Sequence, residues 1–195
     1  DQYASLPNQD PGDLRYKDQN GDGEITEEDR TTIGSPIPDF TFGLGFTVAY
    51  KGLKLTADFQ GQYGNEIYNA KNQTRFSVYN FEDRVINRWT APGTSTSEPD
   101  LDSKAGNYEP SDYFVEDGSY VRLRNLTLSY AFPQQYLDGI GFRSATIYLR
   151  ANNLFSITDY SGYSPDIGGG PLSTGIDSGI YPITRIYTLG LNVSF

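Results

Sequence analysis

The clearest pattern in the chain is a strict alternation of apolar and polar residues in two long neighbouring segments. In FTFGLGFTVAY, residues 40–50, apolar side chains take every second position, and small or polar residues fill the others. After a two-residue link the alternation resumes in LKLTADFQGQY, residues 53–63. A period of two is typical of β-strands, and a two-residue link between strands predicts a tight hairpin. We therefore predict strands at about residues 39–50 and 53–63.

Three more segments alternate in the second half of the chain. They predict strands at about residues 119–132, 145–155 and 183–195. The last of them reads ITRIYTLGLNVSF and alternates up to its final residue. The chain is therefore expected to be all-β, with five long strands joined in sequence.

The alternation slips by one residue inside the third predicted strand. Val121 and Leu123 share one phase, whereas Leu126 and the apolar residues after it share the other. An extra residue in one strand would return both groups to the same face of a sheet. We therefore predict a β-bulge near Arg124 and Asn125.

The strand lengths and the loop lengths favour a membrane barrel. Strands of about eleven residues exceed the usual five or six and match the ~9–11 residues that cross a membrane at a tilt. The connections at 1–38, 64–117 and 156–182 are long, whereas those at 51–52 and 133–143 are short. Short turns on one side and long loops on the other are typical of outer-membrane barrels. We predict an antiparallel transmembrane β-barrel segment with long extracellular loops, divided into a loop region at 1–38 and strands within 39–195.

One part of the long connection has a different spacing. In FEDRVINRW, residues 81–89, the apolar residues recur at helical intervals, which predicts a short helix within residues 64–117.

Composition removes several function classes. The chain has no cysteine, histidine or methionine, so it lacks thiol nucleophiles, disulfides, Cys or His zinc ligands and His-based triads. An enzyme is therefore not expected. The formal net charge of −10, with no Lys/Arg-rich stripe, also argues against nucleic-acid binding.

The segment DQNGDGEITEED, residues 18–29, matches the spacing of an EF-hand calcium loop. Carboxylate, amide and backbone oxygens at these offsets suit a hard cation. The candidate Ca²⁺ ligands are Asp18, Asn20, Asp22, Glu24 through its backbone carbonyl, and Asp29. Asp29 stands where the EF-hand has a bidentate Glu, and no amphipathic helix precedes the loop. We therefore expect a structural calcium clip rather than a sensor, the alternative being an Asp/Asn/Gly turn without an ion.

Four further residues are candidate substrate contacts. Asp58 lies on the polar side of the second strand, where it could face a transport path, although such faces of large barrels are generally polar. Tyr160, Tyr163 and Asp166 lie in DYSGYSPD, where aromatic stacking could hold sugars. Packing within the loop, or contact with a surface lipoprotein, is the alternative for these three.

The last strand and its final aromatic residue form a separate signal. An alternating strand that stops at Phe195 resembles the carboxyl-terminal signal by which barrel proteins are recognised for outer-membrane assembly. The last strand of a soluble β-sandwich is the alternative. The barrel hypothesis also predicts that Tyr50, Tyr130, Phe132 and Phe195 gather at one membrane interface.

Several segments together resemble one family. They are GDLRYKDQNGDGEITEEDRTTIGSPIPDFTFGLGFTVAYKGLKLTADFQGQYGNEIYN, DGSYVRLRNLTLSYAFP, ATIYLRANNLFSITDYSGYSPDIG and TLGLNVSF. They cover most of the chain in the order found in the SusC-like (RagA-like) branch of the TonB-dependent outer-membrane transporters of Bacteroidota.

The resemblance implies a role that the 195 residues would fulfil only as the last part of a longer protein. Such transporters have barrels of about 22 strands, an amino-terminal plug, a segment that contacts TonB and usually a SusD-like surface lipoprotein, and they import glycans or peptides through the bacterial outer membrane. The expected partners are therefore the remaining strands and plug, the lipoprotein, the TonB complex and membrane lipid. The alternative is a soluble, calcium-stabilised β-sandwich that binds carbohydrate.

Overall fold

The computed structural model describes residues 3–4, 6, 9–74, 81–101, 106–170 and 173–195. Its strands are Tyr3–Ala4 (β1), Tyr16–Lys17 (β2), Phe40–Tyr50 (β3), Leu53–Tyr63 (β4), Glu66–Tyr68 (β5), Val115–Asp117 (β6), Tyr120–Ala131 (β7), Ser144–Thr158 (β8) and Ile186–Ser194 (β9). Its helical segments are the α-helix Ala70–Thr74 (α1) and the 3₁₀ helices Glu27–Asp29, Asp83–Asn87, Asp112–Phe114, Gln134–Tyr136 and Asp138–Ile140. Within the described residues, no helix has both the length and the apolar character needed to cross a membrane.

The long strands form one antiparallel sheet in the order β3-β4-β7-β8-β9. The first hairpin turns at Lys51 and Gly52, whose φ angles are 47° and 86°. Positive φ at both central residues is the geometry of a type I′ turn, which matches the right-handed twist of the flanking strands. The tight hairpin read from the sequence is confirmed.

The pairing register gathers the apolar residues on one face of the sheet. One row runs across all the long strands through Val48, Leu55, Leu128, Leu149 and Leu189. Leu189 in this row is 73% exposed. A β-sandwich would bury such a row against a second sheet, so the structure does not support the soluble-sandwich alternative.

The predicted β-bulge is present in β7. Leu123 pairs with Phe59 and Asn125 pairs with Asp58, which leaves Arg124 without a partner in the ladder. The same irregularity appears against β8. Because of the extra residue, Leu123 and Leu126 lie on the same apolar face although they are three positions apart.

Two strand boundaries differ from those expected from the sequence. β8 continues to Thr158, beyond the expected end at residue 155, and β9 begins at Ile186 rather than at residue 183. Asn153 has a φ of 52° and its side-chain amide donates to the carbonyl oxygen of Thr184 at 3.2 Å. The sequence predicted that β8 and β9 would still be paired through their backbones at this point. The structure has the side-chain contact between Asn153 and Thr184 there instead.

The helical spacing in residues 81–89 produces only a short 3₁₀ helix, Asp83–Asn87. The helix ends because Arg88 returns to an extended conformation, with φ −63° and ψ 160°. The backbone N–H of Arg88 still donates to the carbonyl oxygen of Val85, which closes the last turn.

Aromatic residues gather at one end of the sheet. Tyr50 and Tyr130 both lie in the row that contains Leu53. The Tyr130 and Phe132 rings meet edge to face with centroids 5.3 Å apart. Phe195 meets Phe142 in the same way at 5.2 Å, beside the Arg143 N–H that donates to Ser194. The expected clustering of these aromatics at one end is confirmed.

The chain divides into two compact units that differ from the expected division after residue 38. Unit 1 consists of Asp1–Gly34 and Tyr68–Val115, and unit 2 of Ser35–Ile67 and Glu116–Phe195. In unit 1 the Asn107 side chain accepts from the backbone N–H of Leu14 at 2.8 Å and donates to Asp13 Oδ1 at 2.7 Å. These bonds tie the N-terminal segment to the long connection, so the two form one unit.

Candidate functional site

The loop proposed to bind calcium is organised around Asp18, which is only 8% exposed. Its carboxylate accepts hydrogen bonds from the backbone N–H groups of Gly21, at 2.6 Å, and Gly23, at 2.9 Å. Both glycines have φ near +80° to +90°, a conformation that side chains disfavour. Asp18 and the two glycines thus form a tight turn.

Asp29 closes the other end of the same loop. Its Oδ1 accepts from the Gln19 N–H at 2.8 Å, and its Oδ2 accepts from the Thr26 N–H at 2.7 Å. The Thr26 hydroxyl accepts in turn from the Glu28 N–H at 3.2 Å, which completes a capping box on the 3₁₀ helix. Asp29 therefore has a structural role that its position in the EF-hand template does not indicate.

The middle of the loop uses its polar side chains in the same way. Asn20 Oδ1 accepts from the Asp22 N–H, and Asp22 Oδ1 accepts from the Glu24 N–H, both at 2.9 Å. Within the described residues, no three His, Cys, Asp or Glu side chains gather as a metal-binding group. Asp18 is nevertheless a buried carboxylate that forms no ion pair with any described residue. Each carboxylate oxygen keeps a second lone pair, so calcium binding stays a prediction.

The capping role of Asp29 predicts a specific response to acid. Hydrogen bonds from the backbone N–H groups of Thr26 and Gln19 hold the pKa of Asp29 below its ordinary value. A group whose pKa is lowered by folding stabilises the folded loop above the unfolded pKa, about 4, and this contribution is lost as the pH falls through the folded pKa. The protection factors of the Gln19 and Thr26 amides, which compare each exchange rate with that of an unfolded peptide at the same pH, should therefore fall on acidification below about pH 4. Slow exchange at these two amides in Asp29→Asn at neutral pH would contradict the capping role.

Asp58 lies on the polar face of the sheet, as expected. Its Oδ2 accepts from Asn125 Nδ2 at 3.3 Å. Gly45 lies opposite, and a Cβ at that position would come within 2.9 Å of Asp58 Oδ1. Asp58 therefore lies on the polar face between β3 and β7 and contacts both strands. Substrate contact by Asp58 stays a prediction.

The three candidates in DYSGYSPD have different surroundings. Tyr160 is 5% exposed and its hydroxyl donates to Asp177 Oδ2 at 2.5 Å, so its ring has no free face for stacking on a sugar. The expectation for Tyr160 is corrected, because a buried partner holds this side chain inside the loop. Tyr163 is 64% exposed and remains a candidate. Asp166 is half-exposed and pairs with Arg122.

Arg122 is a central residue of this region that the sequence did not single out. It is buried on the polar face of β7, and its Nη1 contacts Asp166 Oδ2 at 3.0 Å. Its Nε donates to Ser156 Oγ at 2.9 Å, and its Nη2 donates to Ser164 Oγ at 3.4 Å. A single arginine in an alternating strand gives no sign of such partners, because two of them, Ser164 and Asp166, come from a distant loop.

A second polar cluster, in unit 1, was also not expected. Arg84 Nη1 lies 3.3 Å from Glu98 Oε2 and donates to the Tyr113 hydroxyl at 3.1 Å. The Tyr113 hydroxyl donates to Glu98 Oε2 at 3.0 Å. Burial raises the pKa of Tyr113 to about 12, with Arg84 opposing that shift and Glu98 adding to it. The cluster borders a cleft of about 40 Å³, room for about three water molecules.

Phe195 is exposed and touches Phe142. Its role as an assembly signal stays a prediction. The predicted site residues therefore fall into four groups: the loop at residues 18–29, Asp58 on the polar face, the segment between β8 and β9, and Phe195 after β9.

Comparison with known proteins shows one group of relatives. The chain is 36% identical over 198 aligned residues to TonB-dependent receptor P26 of Formosa agariphila, an alignment that covers 94% of this chain and 20% of the receptor. It is 28% identical to TonB-dependent receptor SusC of Bacteroides thetaiotaomicron, across 95% of this chain and 18% of SusC. The chain corresponds to a segment of the TonB-dependent receptors. No family model matches the sequence.

Solved structures agree with this family. The RagAB peptide importer in its open-open state superposes with a TM-score of 0.76 and 28% identity, over all of this chain and 22% of that one. The closed-closed state gives a TM-score of 0.71. The antiparallel sheet described above is thus a barrel segment. The chain spans about one fifth of the length of the curated relatives that it matches. The relatives are named as receptors and an importer, which agrees with the expectation of transport rather than bond chemistry.

Proposed function

We propose that this chain forms part of the barrel wall of a TonB-dependent importer in the bacterial outer membrane. The observation that carries the proposal is the row of exposed apolar residues that crosses every long strand, backed by a polar face. A sheet of this kind is stable when lipid contacts its apolar face and a polar barrel interior lies against its other face. The aromatic residues at one end of the sheet suit a membrane interface.

The proposal places the long connections outside the cell. The turns at residues 51–52 and 132–143 join strands at the aromatic end of the sheet, whereas the connections at 64–119 and 159–185 join strands at the opposite end. Barrels of this class keep short turns in the periplasm and long loops outside. The residues that could meet a substrate first would therefore lie in the long loops.

A substrate and a partner follow by analogy with named relatives. RagAB is a peptide importer, and SusC is a TonB-dependent receptor. We propose glycan or peptide uptake with a SusD-like surface lipoprotein at the outward loops. Tyr163 and Asp58 are the proposed substrate contacts that remain compatible with the structure, together with the exposed part of Asp166.

Uptake by cells tests the proposal. Cells that carry the complete transporter would receive labelled peptide mixtures in one arm and labelled oligosaccharide mixtures in the other. The expected result is uptake of one mixture that disappears in a strain without TonB and declines in a strain without the lipoprotein. Equal uptake with and without TonB would contradict the proposal.

We further propose that Ca²⁺ stiffens residues 14–34 through the loop at Asp18. The support is the EF-hand spacing and the buried carboxylate of Asp18. In the complete transporter, calcium should slow amide exchange in this segment, and a chelator should reverse the effect. Asp18→Asn should abolish the response, whereas Asp10→Asn, outside the loop, should retain it. Identical exchange with calcium and with chelator in the unmodified protein would rule out the calcium clip.

A further inference from the structure

The described residues of the connection between β8 and β9, 159–170 and 173–185, fold over the polar face of the sheet. Arg122 belongs to that face, because it pairs with Gln60 on one side and with Ser156 on the other. Its guanidinium reaches Ser164 and Asp166 of the connection. The Tyr120 ring lies 4.9 Å from the guanidinium carbon, so the aromatic ring covers one face of the cation.

A second anchor lies further along the same connection. Asp177 is 1% exposed and accepts from the Tyr160 hydroxyl at 2.5 Å. It also accepts from the backbone N–H groups of Gly179 and Ile180, at 2.7 and 3.1 Å. Two parts of the connection, before and after its glycine run, are thereby joined by a buried carboxylate.

The connection also reaches the opposite side of the sheet. A Cβ at Gly175 would overlap Pro36, which precedes β3, and would lie 3.4 Å from the carbonyl oxygen of Glu66, which follows β4. The connection therefore starts at β8, crosses the polar side of β7 and comes against the outward ends of β3 and β4 before it returns to β9. In a barrel, the polar face of the sheet lines the interior.

We propose that residues 159–170 and 173–185 form a fixed constriction inside the barrel that limits the size of the imported molecule. This inference rests on the proposed transport function and adds a residue-level basis for its selectivity. Arg122 is the positioning residue, because it holds the loop and need not touch the substrate. Tyr163 and the free side of Asp166 present the aromatic and acidic groups of the constriction to the passage.

The contacts of Arg122 explain why the constriction is fixed. Arg122 is 3% exposed, so its guanidinium needs hydrogen-bonding and anionic partners. Two of these partners, Ser164 and Asp166, come from the loop. Moving the loop away would break the ion pair to Asp166 and the hydrogen bond to Ser164, which are strongest while the loop keeps water out. The loop is therefore held in place by the barrel wall itself.

Loss of the anchor tests the inference in the complete transporter. Arg122→Gln should free the loop, so the ratio of long-substrate to short-substrate uptake should rise several-fold, measured with labelled peptide and oligosaccharide ladders. Arg150→Gln is the matched control, since Arg150 lies on the same face and stacks on Tyr148 rather than contacting the loop. A general loss of structure would lower uptake of all lengths together and leave the ratio unchanged.

Limited proteolysis makes the test independent of expression level. Arg122→Gln should expose cleavage sites within 159–185 while the barrel resists protease, and Asp166→Asn should produce the same cleavage from the loop side. Cleavage confined to the loop of an intact barrel, without a change in the length ratio, in either variant, would overturn the constriction. Absence of TonB-dependent uptake in the unmodified transporter would instead contradict the proposed function.

Discussion

Replacing Leu44 with arginine should prevent most of the protein from reaching a stable membrane-inserted state. Leu44 lies near the middle of β3 on the apolar face and is 62% exposed. An arginine on the lipid face near the bilayer midplane costs about 2–4 kcal/mol, because the cation loses its hydration. In the complete transporter, Leu44→Arg should lower the denaturant midpoint in lipid vesicles and the yield of heat-modifiable barrel.

Thr47→Arg provides the matched control for Leu44→Arg. Thr47 is on the same strand but on the polar face, where it pairs with Thr56. An arginine there should be tolerated, since the polar face lines an aqueous or protein-filled interior. Equal loss of barrel from both variants would show that the assignment of the two faces is wrong.

Asp177→Ala should have the second largest effect, a loss of local stability in the connection between β8 and β9. Its carboxylate satisfies the hydroxyl of Tyr160 and two backbone N–H groups. Each buried donor left without a partner costs about 1–3 kcal/mol, and water entering the site would recover part of this. We expect a loss of about 3 kcal/mol in the local stability of residues 159–185, measured by amide exchange, while the barrel strands remain protected.

Asp159→Ala separates this effect from a general loss of negative charge in the same segment. Asp159 is exposed and lies one residue before Tyr160. Its replacement should leave amide exchange in the loop unchanged. Similar acceleration of exchange in both variants would mean that Asp177 has no special role in holding the loop.

The strands could be read from the sequence because one physical requirement controls them. A sheet with lipid on one side and polar groups on the other needs apolar residues at every second position, so β3 and β4 match their expected ranges within one residue. The phase slip at Leu123 and Leu126 likewise required an extra residue between them. These are local signals, and they depend on few neighbours.

The loops were less predictable because their contacts join distant parts of the chain. Tyr160 looked available for stacking because nothing near it in sequence indicates that Asp177 would bury its hydroxyl. Arg122 looked like an ordinary polar-face residue until Asp166 and Ser164 were placed beside it. The side chain of Asn107 joins the two segments of unit 1 through hydrogen bonds to residues more than ninety positions away.

The EF-hand spacing correctly indicated a tight loop at residues 18–29. It did not indicate which hydrogen bonds the side chains form within that loop. Asp29 matched the twelfth position of the template, and the structure shows both its oxygens accepting from the backbone. Sequence spacing places a carboxylate in a loop, but it does not show whether an N–H group or an ion occupies its lone pairs.

The most direct test of the central claim is the sidedness of the loops in intact cells. These 195 residues contain no cysteine, and any cysteine elsewhere in the complete transporter would first be replaced by serine. A single cysteine can then be introduced at Thr96, in the long connection before β7, or at Gln135, in the turn between β7 and β8. With the complete transporter, a membrane-impermeant maleimide should label Thr96→Cys in intact cells, and Gln135→Cys only after the outer membrane is permeabilised. Equal labelling of both variants in intact cells, or recovery of both in a soluble fraction, would contradict a barrel that crosses the outer membrane with its long loops outside.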